Sequence, residues 1–221
     1  MTSFSQAKNW WWMVPSGVRG LLLLLAFVYV VGTVGSKVSA FNLAALIGLK
    51  SVDFWHGHWW TLLTFWVLPT GLADFLFNGL LLAMLGGRLE RGWSRIEFWT
   101  FFLIGVVGSG AATVLINPSS DVALLGIVGG IWGLLTGWLK LFGDEPVQLL
   151  GVWSTTVRRA ILVMAGASIV MVWVSGGSIL DLLTGLSGAL AGWVYLTVRW
   201  RLNPGIKAQT FQSDRVRKLE L

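Results

Sequence analysis

The chain of 221 residues contains no cysteine. That excludes disulfides, thiolate metal sites and a cysteine nucleophile. Histidine is nearly absent: there are two, His56 and His58, and both fall in one short segment. Charge is sparse as well. Asp, Glu, Lys and Arg make up 12% of the residues, where a soluble domain carries about 25%. No phosphate-cradling glycine loop, nucleotide fingerprint or haem-attachment pattern occurs. No cofactor is therefore expected.

Apolar residues fill the space these absences leave. Hydrophobic types make up 55% of the chain, with 15 tryptophans and 28 glycines, and the mean hydropathy is +0.74. This is the composition of a membrane protein, and indoles favour the membrane–water interface. Spans of about 20 apolar residues are expected near 17–35, 72–91, 97–116, 121–142, 157–174 and 178–199. The stretch 36–71 is aromatic and apolar, and is expected to lie in the outer interface. The expected fold class is an all-α polytopic membrane protein, a bundle of six transmembrane helices with an interfacial first loop. The chain then divides into a cytoplasmic segment 1–16, a membrane domain 17–200 with its outer loop 36–71, and a basic cytoplasmic tail 201–221.

Of the 16 Lys and Arg residues, this topology puts all on one side except Lys37 and Lys50. By the positive-inside rule both termini are cytoplasmic, and the expected location is a bacterial inner membrane. The same distribution accounts for the net charge of +6 without nucleic acid; the expected partners are the lipid bilayer and transmembrane segments of other proteins. A competing reading takes Leu21–Val34 and Val38-Ser39-Ala40 as a signal peptide with its cleavage site. Cleavage would leave five spans and spoil the charge pattern.

Three acids stand at the outer ends of even-numbered spans: Asp74, Asp121 and Asp181. Each is either a helix cap or part of an ion path. Capping is favoured for Asp121, which follows Pro118-Ser119-Ser120. A transporter built on Asp74 and Asp181 would need an inverted repeat or broken-helix pair, and none is visible. Asp53, His56 and His58 form a loose metal pattern, the two histidines facing one side if the segment is extended. A hydrolytic zinc site usually has three protein ligands, and interfacial polar anchoring serves equally. No metal is expected.

Four segments share a further pattern. Gly57-His58-Trp59-Trp60-Thr61 precedes the second span. That span holds Asp74-Phe75-Leu76-Phe77-Asn78 and ends in Gly87-Arg88-Leu89-Glu90. The fourth span reads Gly126-Ile127-Val128-Gly129-Gly130-Ile131-Trp132-Gly133-Leu134, and the sixth Gly185-Leu186-Ser187-Gly188-Ala189-Leu190-Ala191-Gly192. From about Ser51 to Tyr195 the chain resembles the rhomboid intramembrane serine proteases.

The resemblance implies the family's roles position by position. Thr61 stands where the W-R element has its arginine. Asp74 stands where an oxyanion-stabilising histidine belongs, while its asparagine partner is kept as Asn78. Val128 occupies the nucleophile position, and Gly185 that of the general-base histidine. A register four residues earlier would put Asp181 at the base position, at the cost of a glycine. The resemblance therefore implies a degenerate member, a pseudoprotease without catalytic residues.

Serine catalysis needs an activated hydroxyl with a base within about 3 Å, and these spans contain no histidine. An active peptidase would need displaced residues such as Ser187 or Ser120 with Asp181. Ser187 reads instead as a small residue at a helix contact, in Ser187-x-x-x-Ala191 spacing. Gly126, Gly129, Gly130, Gly133, Gly188 and Gly192 repeat at i, i+4 spacing, which lets helix backbones touch in lipid. Val128 and Gly185 are expected to lie near each other, and a groove for a partner segment is expected between the second and fifth spans.

Overall fold

The computed structural model describes residues 14–38, 42–149, 153–174 and 179–203. Helix α1 (Ser16–Val38) has no acid in its own first turn. A distant one serves it: the buried Glu90 carboxylate accepts from Gly17 N and Val18 N, each at 2.7 Å. Those N–H groups have no partner within the helix, and a negative charge there also meets the positive end of the helix dipole.

The outer segment folds as three short helices, α2 (Leu43–Ile47), α3 (Ser51–Trp55) and α4 (Thr61–Thr64), followed by a tight turn at Phe65–Val67. Next come α5 (Leu72–Leu81), a π-turn at Leu82–Gly86 and α6 (Gly87–Gly92), which together form one apolar rod. A π-turn disrupts the regular hydrogen-bond ladder. Leu85 O in that turn accepts from the Trp138 indole at 2.9 Å.

Helix α7 (Arg95–Ile116) starts at Ser94, whose hydroxyl accepts from Glu97 N at 3.1 Å. The remaining elements are α8 (Val128–Phe142), strands β1 (Pro146–Leu149) and β2 (Trp153–Thr156), α9 (Val157–Val174) and α10 (Ile179–Leu202). The strands pair antiparallel, from Pro146 opposite Thr156 to Leu149 opposite Trp153. This hairpin occupies what the sequence presents as a short connection.

The protein is mostly helical, and α1, the 72–92 rod and α7 are each long and apolar enough to cross a membrane. Helix α8 has 15 residues, about 22 Å of rise against a hydrocarbon core of about 30 Å. Its start corrects the sequence reading. Residues 121–127 do not begin the helix. Leu124 instead pairs with Leu49 of the outer segment, through N–H···O bonds of 3.1 and 2.8 Å. Gly126 turns the chain at φ +88° and donates to Phe65 O at 3.2 Å.

Two further expectations change with that start. Gly126 lies outside the helix and is a turn residue rather than a helix-packing one. Asp121 caps no helix; it pairs with Lys50 at 3.1 Å, its side chain 82% exposed.

Helices α7, α8 and α10 pack against one another at the centre. Glycines set their separation. A methyl on Gly133 would stand 3.3 Å from Gly105 Cα, and one on Gly192 would stand 3.2 Å from Gly133 Cα. Phe65, Phe98, Phe101 and Phe102 are fully buried around this contact. The two ends of the bundle carry different polar pairs. Arg88 with Glu145 and Arg199 with Glu97 lie at one end, and Lys50 with Asp121 at the other.

Candidate functional site

Val128 is the first residue of α8 and is 37% exposed. It lines a cavity of about 390 Å³ together with Gly129 and Trp132 of the same helix. Helix α9 supplies Ala165, Ser168 and Ile169, and α10 supplies Leu182, Thr184 and Leu186. Ser109 of α7 and the turn 124–126 complete most of the wall. No residue of the 72–92 rod lines it. This concavity lies among α8, α9 and α10, a different place from the groove expected between the second and fifth spans.

Gly185 faces the Trp132 indole. A Cβ at residue 185 would stand 2.8 Å from Trp132 Nε1 and 2.9 Å from Cδ1. The volume a side chain from this position would enter is therefore occupied by an aromatic ring of the neighbouring helix. Gly188 lies beneath, where a Cβ would overlap Gly129 O and stand 2.8 Å from Gly129 C and Cα. A methyl on Gly129 would overlap the Ser109 side chain, and one on Gly130 the Phe102 ring.

The hydroxyls around the cavity are committed to backbone carbonyls. Ser109 donates to Val106 O at 2.7 Å, Ser168 to Met164 O at 2.9 Å and Ser187 to Thr184 O at 2.9 Å. Thr113 donates to Ser109 O at 3.0 Å, and its hydroxyl lies 3.1 Å from that of Thr184. No histidine, lysine or carboxylate is among the described lining residues. Ser120 sits apart, in the loop before α8, and its hydroxyl accepts from Val122 N at 3.3 Å. The Asp181 side chain lies outside the described residues, as do the segment 1–13 and the tail from 204.

Asp74 and Asn78 meet on one face of α5, at the i, i+4 spacing that brings helix side chains together. The Asn78 amide donates to Asp74 Oδ1, and Thr70 N donates to Asp74 Oδ2 at 3.0 Å. Asp74 thus holds the N–H of Thr70, in the turn ahead of α5, and one N–H of the Asn78 amide. Thr61 is buried and donates to His58 O at 2.6 Å; a hydroxyl replaces whatever an arginine would reach here.

The segment that carries Asp53, His56 and His58 is not extended, contrary to the sequence expectation. Helix α3 ends at Trp55 and the chain turns at Gly57 with φ +105°. His56 Nδ1 lies 2.7 Å from Val52 O, and the His58 ring stacks edge-on against Trp60. Among the described residues no three His, Asp or Glu side chains gather as a metal site.

Sequence reasoning missed Trp132, whose ring lies against Gly185. Its tie to Gly185 runs between helices and leaves no local signal. Glu90 was part of a recognised motif, but its partners lie more than 70 residues away.

Two comparisons with known proteins add to this geometry. Residues 19–200 match the model of a family described as "Eukaryotic integral membrane protein (DUF1751)". The chain is also similar to Rhomboid protease GluP of Bacillus subtilis (strain 168), with 28% identity over 110 residues. That match covers 50% of this chain and 21% of the relative, so the chain spans about a fifth of that protein's length. The family description lends no support to a bacterial inner membrane or to a particular placement of the termini.

Proposed function

We propose, from the premise that this chain belongs to the DUF1751 family of integral membrane proteins and is rhomboid-like, that it is a non-catalytic member. It would bind or hold transmembrane segments, as a free-standing adaptor or as a subunit of a membrane complex. One observation carries the reading: the Trp132 ring lies where a side chain from residue 185 would go. The nucleophile position is at the same time an apolar valine. Serine chemistry needs both positions, and the second is physically filled. What persists is the glycine contact among α7, α8 and α10, which presents apolar surfaces to lipid and to other helices.

The proposal includes the arrangement that goes with it. The membrane domain covers 17–200 in six spans, with 36–71 along the outer interface. Both termini lie on the cytoplasmic side, on the strength of the Lys and Arg asymmetry. The test is a fluorophosphonate probe on the purified full chain, together with cleavage of a model transmembrane substrate in proteoliposomes. The expected result is no labelled serine and no product. Labelling at one serine would overturn the proposal.

A second reading, an active intramembrane peptidase with displaced residues, is favoured by the relative whose name is a protease. It predicts cleavage that Ser187→Ala or Ser120→Ala abolishes. The commitment of Ser187 to Thr184 O weighs against it.

A further inference from the structure

We propose that the cavity among α8, α9 and α10 is a lipid site. It would hold one acyl chain of a membrane lipid, with a neutral ester carbonyl accepting from Trp132 Nε1. The inference stands independently of the non-catalytic reading.

Size excludes the most obvious alternative. One turn of helix with its side chains, a cylinder about 10 Å wide and 5.4 Å high, fills about 420 Å³. A cavity of about 390 Å³ therefore takes less than one turn, and a spanning helix has more than five. A partner helix can lie against the mouth of the cavity but cannot enter it. A methylene needs about the space of one water molecule, about 30 Å³, so the cavity accommodates about a dozen carbons of a single chain. Its size is that of a small-molecule pocket.

The lining selects the chemistry. None of the described lining residues is charged, so neither a free carboxylate nor a phosphate meets a counter-charge from them. The Ser109 and Ser168 hydroxyls on the wall donate to backbone carbonyls, and the Thr184 hydroxyl is engaged with that of Thr113. Trp132 is the exception. Its indole N–H is a donor only, and it meets no acceptor among the described residues. An apolar chamber with one uncommitted donor suits a hydrocarbon chain that brings one neutral acceptor. A water-filled chamber would instead need two to four polar partners for each water.

The test uses the full chain in nanodiscs drawn from native membranes, so that detergent does not compete. A phospholipid with a diazirine on its acyl chain is photolysed, and the labelled peptides are mapped. Label is expected on the stretches around Val128–Trp132 and Ala165–Ile169. Trp132→Phe keeps the ring and deletes the donor. It should lower labelling there about three- to tenfold, the effect of one hydrogen bond. Ala165→Phe fills the chamber and should abolish labelling at these stretches without changing the general labelling of exposed faces. A thermal melt confirms that each variant is folded; if Ala165→Phe is not, Trp132→Phe decides. Label spread evenly over the lipid-facing helices, or unaffected by Trp132→Phe, overturns the proposal. So does a photocrosslinker at residue 128 that captures a protein segment in place of lipid.

Discussion

Substituting one glycine in two places should give changes of opposite sign. Gly188→Ala puts a methyl into the carbonyl of Gly129, with Gly129 C and Cα both at 2.8 Å, where carbon atoms prefer about 3.5–4 Å. The obstacle is backbone, so no rotamer change relieves it. Helices α8 and α10 must separate by about 1 Å to restore ordinary contact. That movement also loosens the Gly192–Gly133 contact one turn on, where a Cβ on Gly192 would stand 3.2 Å from Gly133 Cα. Overpacking of this kind costs about 3 kcal/mol at the upper end of the usual range. Alanine's better helix propensity returns about 1 kcal/mol, for a net loss of about 2 kcal/mol. Gly166→Ala on α9 meets nothing within 4 Å and keeps only the propensity gain. Thermal unfolding in one detergent should show Gly188→Ala about 4–8 °C below the parent, and Gly166→Ala level with it or above. If Gly188→Ala matched the parent, or Gly166→Ala fell equally far, the glycine contact would not be what sets the helix spacing.

The double variant Val128→Ser with Gly185→His is expected to stay silent to a fluorophosphonate probe. The new histidine starts 2.8 Å from the Trp132 indole and has no room to approach the serine; cleavage by this double variant, or by Val128→Ser alone, would refute the argument. Glu90→Gln removes the charge that two α1 N–H groups share and should cost about 1–3 kcal/mol in a denaturant titration, with Glu90→Ala costing more. Lys50→Gln breaks a pair whose acid is 82% exposed; a loss below about 1 kcal/mol that vanishes in high salt is expected, and a larger, salt-independent loss would mean the pair is more buried than its geometry shows.

Legibility in the sequence followed the range of the interactions. The apolar runs at 16–37, 72–92 and 95–116 stand out because hydrocarbon demands unbroken apolar length, and all three are helical. The start of α8 did not stand out. Residues 122–127, Val-Ala-Leu-Leu-Gly-Ile, satisfy a helical pattern as well as they satisfy an extended one. The choice is made by Leu49, 75 positions earlier, which takes Leu124 as a backbone partner. The hairpin at 146–156 was hidden for a different reason: its alternation is short, and it sits between two long apolar helices whose pattern dominates. Glycine spacing marks where helices can touch but not which ring fills the neighbouring space, so Trp132 could be found only from the packed structure.

That packing ties the altered positions to one another. A glycine at 185 leaves a gap between α8 and α10, and in lipid an unfilled gap forfeits the close contact that holds helices together. Trp132 fills it, and the fit is close enough that any Cβ at 185 collides with the ring. On α5, Asp74 takes one N–H of the Asn78 amide. On the proposed non-catalytic reading, no single change would supply a serine–histidine pair. Serine at 128 would lack a base and histidine at 185 would meet the Trp132 ring, while Asp74 holds one of the two N–H donors of the Asn78 amide. On that proposed reading, the same close packing that joins α8 to α10 stands in the way of a base at 185.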